Sequence, residues 1–211
     1  MRFDDAVVRL TTLPEVFPAP ADALMPVIIG RAPGLVPVQR RPGRAAAVLV
    51  LLFPDAEGET RVVLIERPTA DGHHHSGEVS FPGGKAEASD PDAATTALRE
   101  AAEEIGLDPV AAGVRIVGTL ERHWIAVSDF EVTPVVALAE RSPVLVASPA
   151  EVVRILTPPV TVFLPDAPME IVERTVRDWP LRFGTYPVEG LSVWGMTARV
   201  LSQLGLVLTR G

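Results

Sequence analysis

The sequence predicts an α/β fold in which a mixed β-sheet is sandwiched between helices. Three observations lead to this fold class. Short runs rich in Val, Ile and Leu recur along the chain as candidate strands, and an amphipathic helix separates two groups of them. The chain also has 211 residues, of which 47% are hydrophobic, and this is enough to bury a substantial core.

The first segments of the chain divide into an extension and the start of a domain. Residues 1–44 contain several prolines and end in the basic sequence QRRPGR, so we expect one or two helices and a linker, followed by a domain over residues 45–211. The domain begins with strands at residues 45–53 and 60–67 around a turn. The first run is continuously apolar but too short to span a membrane, so it predicts a buried strand.

An amphipathic helix follows a short strand at residues 77–81. Asp90 and Pro91 suit the N-cap and the first position of a helix, and Gly106 is a typical stop signal, so the predicted helix covers residues 91–105. Its apolar stripe, which we expect to face the core, consists of Leu98, Ala101, Ala102 and Ile105.

The remaining segments alternate between strand and helix patterns. In chain order we expect strands at residues 114–124 and 130–139, a short helix that begins at Ser148, a hairpin of strands at residues 169–176 and 181–186, and a C-terminal helix over residues 191–206. Glu151 would then lie near the positive end of the short helix, where the helix dipole stabilises a carboxylate.

Three carboxylates are concentrated on the predicted acidic helix. Glu100, Glu103 and Glu104 are spaced i, i+3 and i+4, which places them on one face, where like charges repel by a few tenths of a kcal/mol per pair. Oxygen ligands in this number suit Mg²⁺ or Mn²⁺ better than zinc. The alternative is an ordinary solvated helix face. Gly83 and Gly84 lie just upstream, where the absence of a Cβ lets the backbone approach a ligand or metal closely.

The segment from Gly84 to Leu107 resembles the sequence box of the Nudix hydrolases. The family's pattern is Gly, five residues, Glu, seven residues, Arg-Glu, an aliphatic residue, any residue, Glu-Glu, any residue, Gly and an aliphatic residue. The match comprises Gly84, Arg99, Glu100, Glu103, Glu104, Gly106 and Leu107. The chain departs from the pattern at two points, because Asp90 stands where Glu is usual and one extra residue precedes Arg99.

This resemblance implies a Nudix-type α/β/α sandwich and a metal-dependent hydrolase of diphosphate linkages. The implied catalytic residues are Arg99, Glu100, Glu103 and Glu104. The Gly84 carbonyl and the three glutamates would hold Mg²⁺ or Mn²⁺, and Arg99 would orient Glu103 or Glu104 by a forked hydrogen bond. Family members often take a catalytic base from a loop outside the box, which is a second interpretation of Glu151. A non-catalytic Nudix-fold sensor of nucleotides is the alternative from a different class.

A second resemblance concerns the residues upstream of the box. The chain matches a pattern of the coenzyme A pyrophosphatase group at Leu64, Arg67, His75, Gly77, Val79, Phe81, Pro82, Gly83 and Gly84. The implied substrate-binding residues are Arg67, His73, His75 and Gly83. The implied substrate is coenzyme A or an acyl derivative, cleaved to 4′-phosphopantetheine and adenosine 3′,5′-bisphosphate, with ADP-ribose or another dinucleotide as the alternative.

Two of these upstream residues have a second interpretation. His73 stands where the group has Arg, and a largely neutral imidazole replaces a fixed positive charge only in part. Arg67 lies at the end of a predicted strand, where it suits a phosphate or a surface carboxylate equally well.

The charge and composition of the chain restrict its partners and its location. The net charge of −8 disfavours nucleic acid, whereas a small nucleotide diphosphate can bind together with divalent cations. The sequence contains no cysteine, which excludes disulfides and thiol catalysis and fits a cytoplasmic protein. We recognise no targeting segment and no membrane span, so a soluble protein without a membrane partner is expected. A homodimer is compatible with the sequence, which leaves the oligomeric state open.

Overall fold

Strands form most of the framework in the computed structural model, which describes residues 1–30, 43–69, 77–125, 128–176 and 179–210. Over these residues the helices are α1 (Phe3–Leu10), α2 (Ala93–Ile105), α3 (Pro109–Ala112) and α4 (Gly195–Leu208). The strands are β1 (Val27–Ile28), β2 (Arg44–Pro54), β3 (Thr60–Val62), β4 (Leu64–Glu66), β5 (Val79–Ser80), β6 (Gly83–Lys85), β7 (Val114–Thr119), β8 (His123–Ile125), β9 (Phe130–Ala139), β10 (Arg154–Leu156), β11 (Glu170–Val176), β12 (Trp179–Val188) and β13 (Leu191–Val193).

The central sheet has the order β3-β2-β9-β7, with β6 also paired to β2 and β8 to β9. Strand β2 is parallel to β9 and antiparallel to β3 and β6, so the sheet is mixed, as the sequence predicts. Strand β2 corresponds to the continuous apolar run, and its side chains alternate between two cores. One face contributes Ala47, Leu49 and Leu51 to a core with helix α2, while the other contributes Val48 and Val50 to a core with helices α1 and α4. Helices cover both faces, which confirms the α/β/α class.

Two smaller sheets extend this framework. Strands β10, β4 and β5 form one of them, and β1, β12 and β11 form the other, with β13 paired to β12. The predicted hairpin is confirmed, because β11 and β12 pair antiparallel. Glu170 lies opposite Thr185 at one end of the pair, and Val176 lies opposite Trp179 at the other. Phe183 of β12 stacks on Trp194 with ring centroids 4.8 Å apart, and this contact fixes the start of helix α4 against the second sheet.

The N-terminal segment is packed into the core over its described part. Ala6 and Leu10 of helix α1 and Leu24 are fully buried in the same cluster as Val200 and Leu204 of helix α4. The predicted N-terminal helix is therefore present. The division of the chain at residue 44 into an extension and a domain stays a prediction.

Several details of the predicted elements are wrong. The predicted strands at residues 60–67 and 114–124 are each divided into two, as β3 and β4 and as β7 and β8. The segment from Ser148 does not start a helix: a turn leads into strand β10, and the Val153 amide donates to the Glu66 carbonyl at 2.9 Å. Pairing with β4 prevails over the local helix signal, in a run whose β-branched residues favour strands. Helix α2 buries Ala97 instead of Ala102, which is exposed. Helix α4 begins only at Gly195, since residues 191–193 form strand β13. None of the described helices is long and apolar enough to cross a membrane.

Candidate active site

The start of helix α2 differs from the predicted one by two residues. Asp92 is the N-cap, and its Oδ1 accepts a hydrogen bond of 2.8 Å from the Thr95 amide. Pro91 therefore lies outside the helix, and the side chain of Asp90 is not used as a cap. This shift leaves the Asp90 carboxylate available for a different contact.

Asp90 pairs with the arginine of the box. Arg99 donates from Nη2 to Asp90 Oδ2 at 3.0 Å and from Nε to Oδ1 at 3.3 Å, a two-point contact typical of Arg and carboxylate. Thr96 Oγ1 and the Glu87 amide also donate to Asp90 Oδ2, each at 2.9 Å. These hydrogen bonds, led by that of Arg99, lower the pKa of Asp90 to about 2. The extra residue in the box thus falls in a loop that still brings Asp90 to Arg99.

The other amino group of Arg99 connects two of the three glutamates. Its Nη1 donates to Glu100 Oε1 at 3.0 Å and to Glu103 Oε2 at 3.2 Å. Its Nη2 also donates to the Lys85 carbonyl at 3.1 Å. The resemblance implies that Arg99 orients Glu103 or Glu104. In the structure Arg99 contacts Glu103, and Glu100 is an additional partner.

The third glutamate of the box lies in a different environment. Glu104 is 3% exposed whereas Glu103 is 56% exposed, so the acidic face extends from solvent into the core. Glu104 Oε2 accepts a hydrogen bond of 2.8 Å from the Gly83 amide, and Glu104 Oε1 lies 3.2 Å from Arg67 Nη2. Burial raises the pKa of Glu104 to about 7, and the Arg67 charge and the Gly83 hydrogen bond offset only part of this effect.

Arg67 is shared between the carboxylate and the backbone. Its Nη2 donates to the Gly83 carbonyl at 3.0 Å while lying 3.2 Å from Glu104, and its Nε donates to Ser80 Oγ at 3.0 Å. The sequence suggests a phosphate or a surface carboxylate as the partner of Arg67. The structure pairs Arg67 with a carboxylate, that of Glu104, which is buried instead of on the surface.

The two glycines make the close approach between strand β6 and helix α2 possible. Gly83 has φ of 148°, and a Cβ on it would lie 2.4 Å from the Ala47 carbonyl oxygen. A Cβ on Gly84 would lie 2.5 Å from an oxygen of Glu100. Because of this packing Glu100 is partly buried, and burial raises its pKa despite the contact with Arg99.

One carboxylate near the site, Glu151, does not lie on the element that the sequence predicts. Glu151 lies on the turn before β10 instead of on a helix, so stabilisation by a helix dipole does not apply to it. Its negative charge contributes to the raised pKa of both Glu100 and Glu104. The turn is tied to helix α2, because the Ser148 amide donates to the Glu104 carbonyl at 2.8 Å. The local sequence gives no signal of this proximity, which depends on β10 pairing with β4.

A cavity of about 450 Å³ opens beside these residues. Arg67, Gly83, Gly84 and Lys85 border it on the side of the box. Aliphatic and aromatic side chains form most of its remaining wall, namely Ala46, Val48, Val79, Phe81, Ile125, Phe130, Val132, Val176, Leu181, Trp194 and Met196. The volume is within the range of small-molecule sites, and the cavity can shield a largely apolar group from water. Of the predicted substrate-binding residues, it brings Arg67 and Gly83 together, while His73 and His75 lie outside the described residues.

The donor chemistry of the acidic face fits a hard divalent cation. Carboxylate oxygens of Glu100, Glu103 and Glu104 and the nearby backbone carbonyls are the ligands that Mg²⁺ and Mn²⁺ prefer. In the described part of the chain, however, no group of three or more His, Cys, Asp or Glu side chains lies close enough together to hold a metal ion. Arg99 and Arg67 are paired with these carboxylates instead.

Comparisons with known proteins agree with this arrangement. The family model described as NUDIX domain matches residues 43–173. "Nudix hydrolase 22, chloroplastic" of Arabidopsis thaliana is 38% identical over 85% of this chain and 60% of that protein. "Nudix hydrolase 15, mitochondrial" of the same plant is 34% identical over 85% of this chain and 65% of that protein. The chain thus spans less than two thirds of the length of both plant relatives.

A bacterial relative is matched over most of its length. The protein of Pectobacterium atrosepticum named "Uncharacterized Nudix hydrolase NudL" is 33% identical over 84% of this chain and 88% of that protein. The family match includes the segment that carries Arg67, the two glycines and the acidic face of helix α2.

Proposed function

Because the chain belongs to the Nudix family, we propose that it hydrolyses the diphosphate linkage of a nucleoside diphosphate derivative. Nudix hydrolases generally use divalent metal ions, and the oxygen-rich donor set described above supports Mg²⁺ or Mn²⁺ in this protein. The carboxylates of Glu100, Glu103 and Glu104 would hold the ion, with the Gly84 carbonyl and the neighbouring Gly83 carbonyl as further candidate ligands. When bound, the ion would neutralise charge on the diphosphate and lower the pKa of a water molecule.

The side chains of the site have separate tasks in this proposal. Arg99, anchored on Asp90, holds Glu100 and Glu103 in position by its hydrogen bonds. We assign the proton of the attacking water to Glu151, because its turn is held against helix α2 by the hydrogen bond from the Ser148 amide to the Glu104 carbonyl. The water oxygen forms a bond to one phosphorus atom, and the bond from that phosphorus to the bridging oxygen breaks.

The apolar cavity carries our choice of substrate, which is coenzyme A or an acyl derivative. A second nucleotide would bring ribose hydroxyls and base edges that lose hydrogen bonds to water, and a mostly aliphatic and aromatic wall offers few replacements. The acyl end of an acyl-coenzyme A has no such groups to desolvate along its chain. The proposed products are adenosine 3′,5′-bisphosphate and 4′-phosphopantetheine, which keeps the acyl group when the substrate is acylated. ADP-ribose or another dinucleotide is the second candidate, and a nucleotide sensor without turnover is the third.

A panel of substrates tests the proposal. Purified protein with Mg²⁺ or Mn²⁺ would be incubated with coenzyme A, acyl-coenzyme A of increasing chain length, ADP-ribose and a diadenosine polyphosphate, and the products separated by chromatography. We expect KM to fall with each added methylene by about fourfold, from about 0.8 kcal/mol per buried CH₂ and 1.4 kcal/mol per tenfold, until the cavity is filled.

A cavity-filling variant makes this test specific. Met196→Trp should raise KM for long acyl chains and leave coenzyme A itself little changed, while Val110→Trp, at an 84% exposed position, is the matched control. Turnover of ADP-ribose or the dinucleotide with inert coenzyme A would overturn the substrate choice. Absence of turnover with every compound would favour the sensor.

Location and assembly stay predictions. The two plant relatives carry organelle names, so the cytoplasm remains an expectation from the sequence alone. We keep a homodimer as a proposal, which light scattering would test by the molar mass in solution. We also propose, from the net charge of −8, that nucleic acid is not a partner.

A further inference from the structure

Arg67 takes up the oxygen atoms that a cation would need at the buried end of the acidic face. Glu104 is 3% exposed, and its Oε2 is engaged by the Gly83 amide in strand β6. That hydrogen bond belongs to the packing of the strand against helix α2, so Oε1 is the oxygen left for a cation. Arg67 Nη2 lies 3.2 Å from this Oε1 and 3.0 Å from the Gly83 carbonyl oxygen.

The pair of oxygens suits a small hard cation as well as a guanidinium. A carboxylate and a backbone carbonyl are ordinary ligands of Mg²⁺ and Mn²⁺. A divalent ion and a guanidinium cannot share the pair at close range, because two positive charges a few ångströms apart in a partly buried site repel strongly. Either cation can therefore neutralise Glu104, but not both together.

A side chain of Arg67 that is displaced from Glu104 has access to the cavity. It lines the cavity beside Gly83 and Gly84, and its side chain is already 31% exposed. A forked guanidinium at this point is suited to binding phosphate oxygens in pairs. No other residue of the described cavity wall combines a fixed positive charge with a direct contact to a box carboxylate.

We propose that Arg67 competes with the divalent cation for Glu104 and the Gly83 carbonyl, and that cation binding transfers Arg67 to the diphosphate of the substrate. The inference rests on the proposed function, since it assumes a divalent ion and a diphosphate at this site. Without the cation, Arg67 neutralises Glu104. With the cation, Arg67 becomes a phosphate ligand, so the cation should increase the affinity for substrate through this residue.

The test is a titration of the substrate-free protein with Mn²⁺ at pH 8, in which electron paramagnetic resonance measures the bound and free ion. Arg67→Met should bind Mn²⁺ about ten- to a hundredfold more tightly than the parent, as expected when a competing charged hydrogen bond is removed. Arg67→Gln is the second variant, and thermal unfolding confirms that each is folded. Lys85→Met is the matched control, because Lys85 also lines the cavity and carries a positive charge, but its side chain is exposed while Glu104 is buried. Mere loss of a positive charge would tighten Mn²⁺ binding in all three variants.

The second readout separates the two roles of Arg67. At saturating Mn²⁺, Arg67→Met should raise KM for the best substrate of the panel by tenfold or more, so that metal affinity and substrate affinity change in opposite directions. A residue with a merely structural role would weaken both. Unchanged or weaker Mn²⁺ binding by Arg67→Met and Arg67→Gln, in a parent that binds Mn²⁺ and turns over substrate, would overturn the inference alone. A parent that neither binds Mn²⁺ nor hydrolyses any diphosphate would overturn the proposed function and the inference with it.

Discussion

Replacement of Glu104 by Gln should stabilise the metal-free protein at alkaline pH. Gln keeps the size of Glu and can still accept the hydrogen bond from the Gly83 amide, but it carries no charge into the core. The pKa of Glu104 is about 7 in the fold and 4.5 for an ordinary Glu. At about 1.4 kcal/mol per pH unit, this difference corresponds to about 3 kcal/mol.

The sign follows from proton binding. The folded parent holds the Glu104 proton more tightly than the unfolded chain does, so this group makes the free energy of unfolding fall as pH rises from about 4.5 to about 7. Above pH 7 the loss is complete. The difference between Glu104→Gln and the parent should therefore be about 3 kcal/mol at pH 8 and below about 1 kcal/mol at pH 5.

Urea unfolding in excess chelator at these two pH values measures the effect. Glu103→Gln is the matched control, because Glu103 is 56% exposed and its replacement should change the free energy of unfolding by about 0.5 kcal/mol or less at either pH. An equal difference at pH 5 and pH 8, or a Glu104→Gln protein less stable than the parent at pH 8, would refute the argument that burial disfavours the ionised Glu104.

Three further outcomes are expected. Excess chelator, or Glu103→Gln with metal present, should remove most of the turnover of the best panel substrate without unfolding the protein, and full activity in both cases would contradict the metal mechanism. Gly84→Ala should weaken Mn²⁺ binding by tenfold or more, because its Cβ would displace the Glu100 carboxylate. Gly190→Ala also strains the backbone, at φ of 82°, but no atom lies within 4 Å of its Cβ, so it should leave Mn²⁺ binding unchanged in the same titration. Burial lowers the pKa of His123 to about 4, so stability should be lost as pH falls from 6.5 towards 4; His123→Asn should flatten this acid limb in urea titrations, and an unchanged limb would show that other groups control it.

Local patterns were sufficient for the elements whose signals lie within one segment. Strand β2 follows from a continuous apolar run, because both of its faces are covered, and the acidic face of α2 follows from the i, i+3, i+4 spacing. The segment at Ser148 shows the limit of such signals. Ser148 and Pro149 match the sequence pattern of a helix start. The backbone that follows instead pairs with β4, about 90 residues away in sequence, and this long-range contact decides the outcome.

The unequal environments of the three glutamates were also beyond the sequence. Spacing alone puts Glu103 and Glu104 on one face, but it contains no information on which of them strand β6 covers. The contact between Arg67 and Glu104 joins residues 37 positions apart, and the pairing of Asp90 with Arg99 depends on the helix starting at Ala93 instead of at Pro91. The pair of Arg67 and Glu104 depends on how the sheet of β10, β4 and β5 meets the central sheet.

The wall of the cavity has a consequence for how this protein can change over generations. Its polar border comes from the box and the strands near it, whereas Val176, Leu181, Trp194 and Met196 lie beyond residue 173, where the family match ends. Mutations in this later part can reshape the cavity without changing Glu100, Glu103 or Glu104. The cavity can therefore change its ligand preference, or be redesigned by exchanging residues 174–211 between homologues, while the acidic face of helix α2 stays the same.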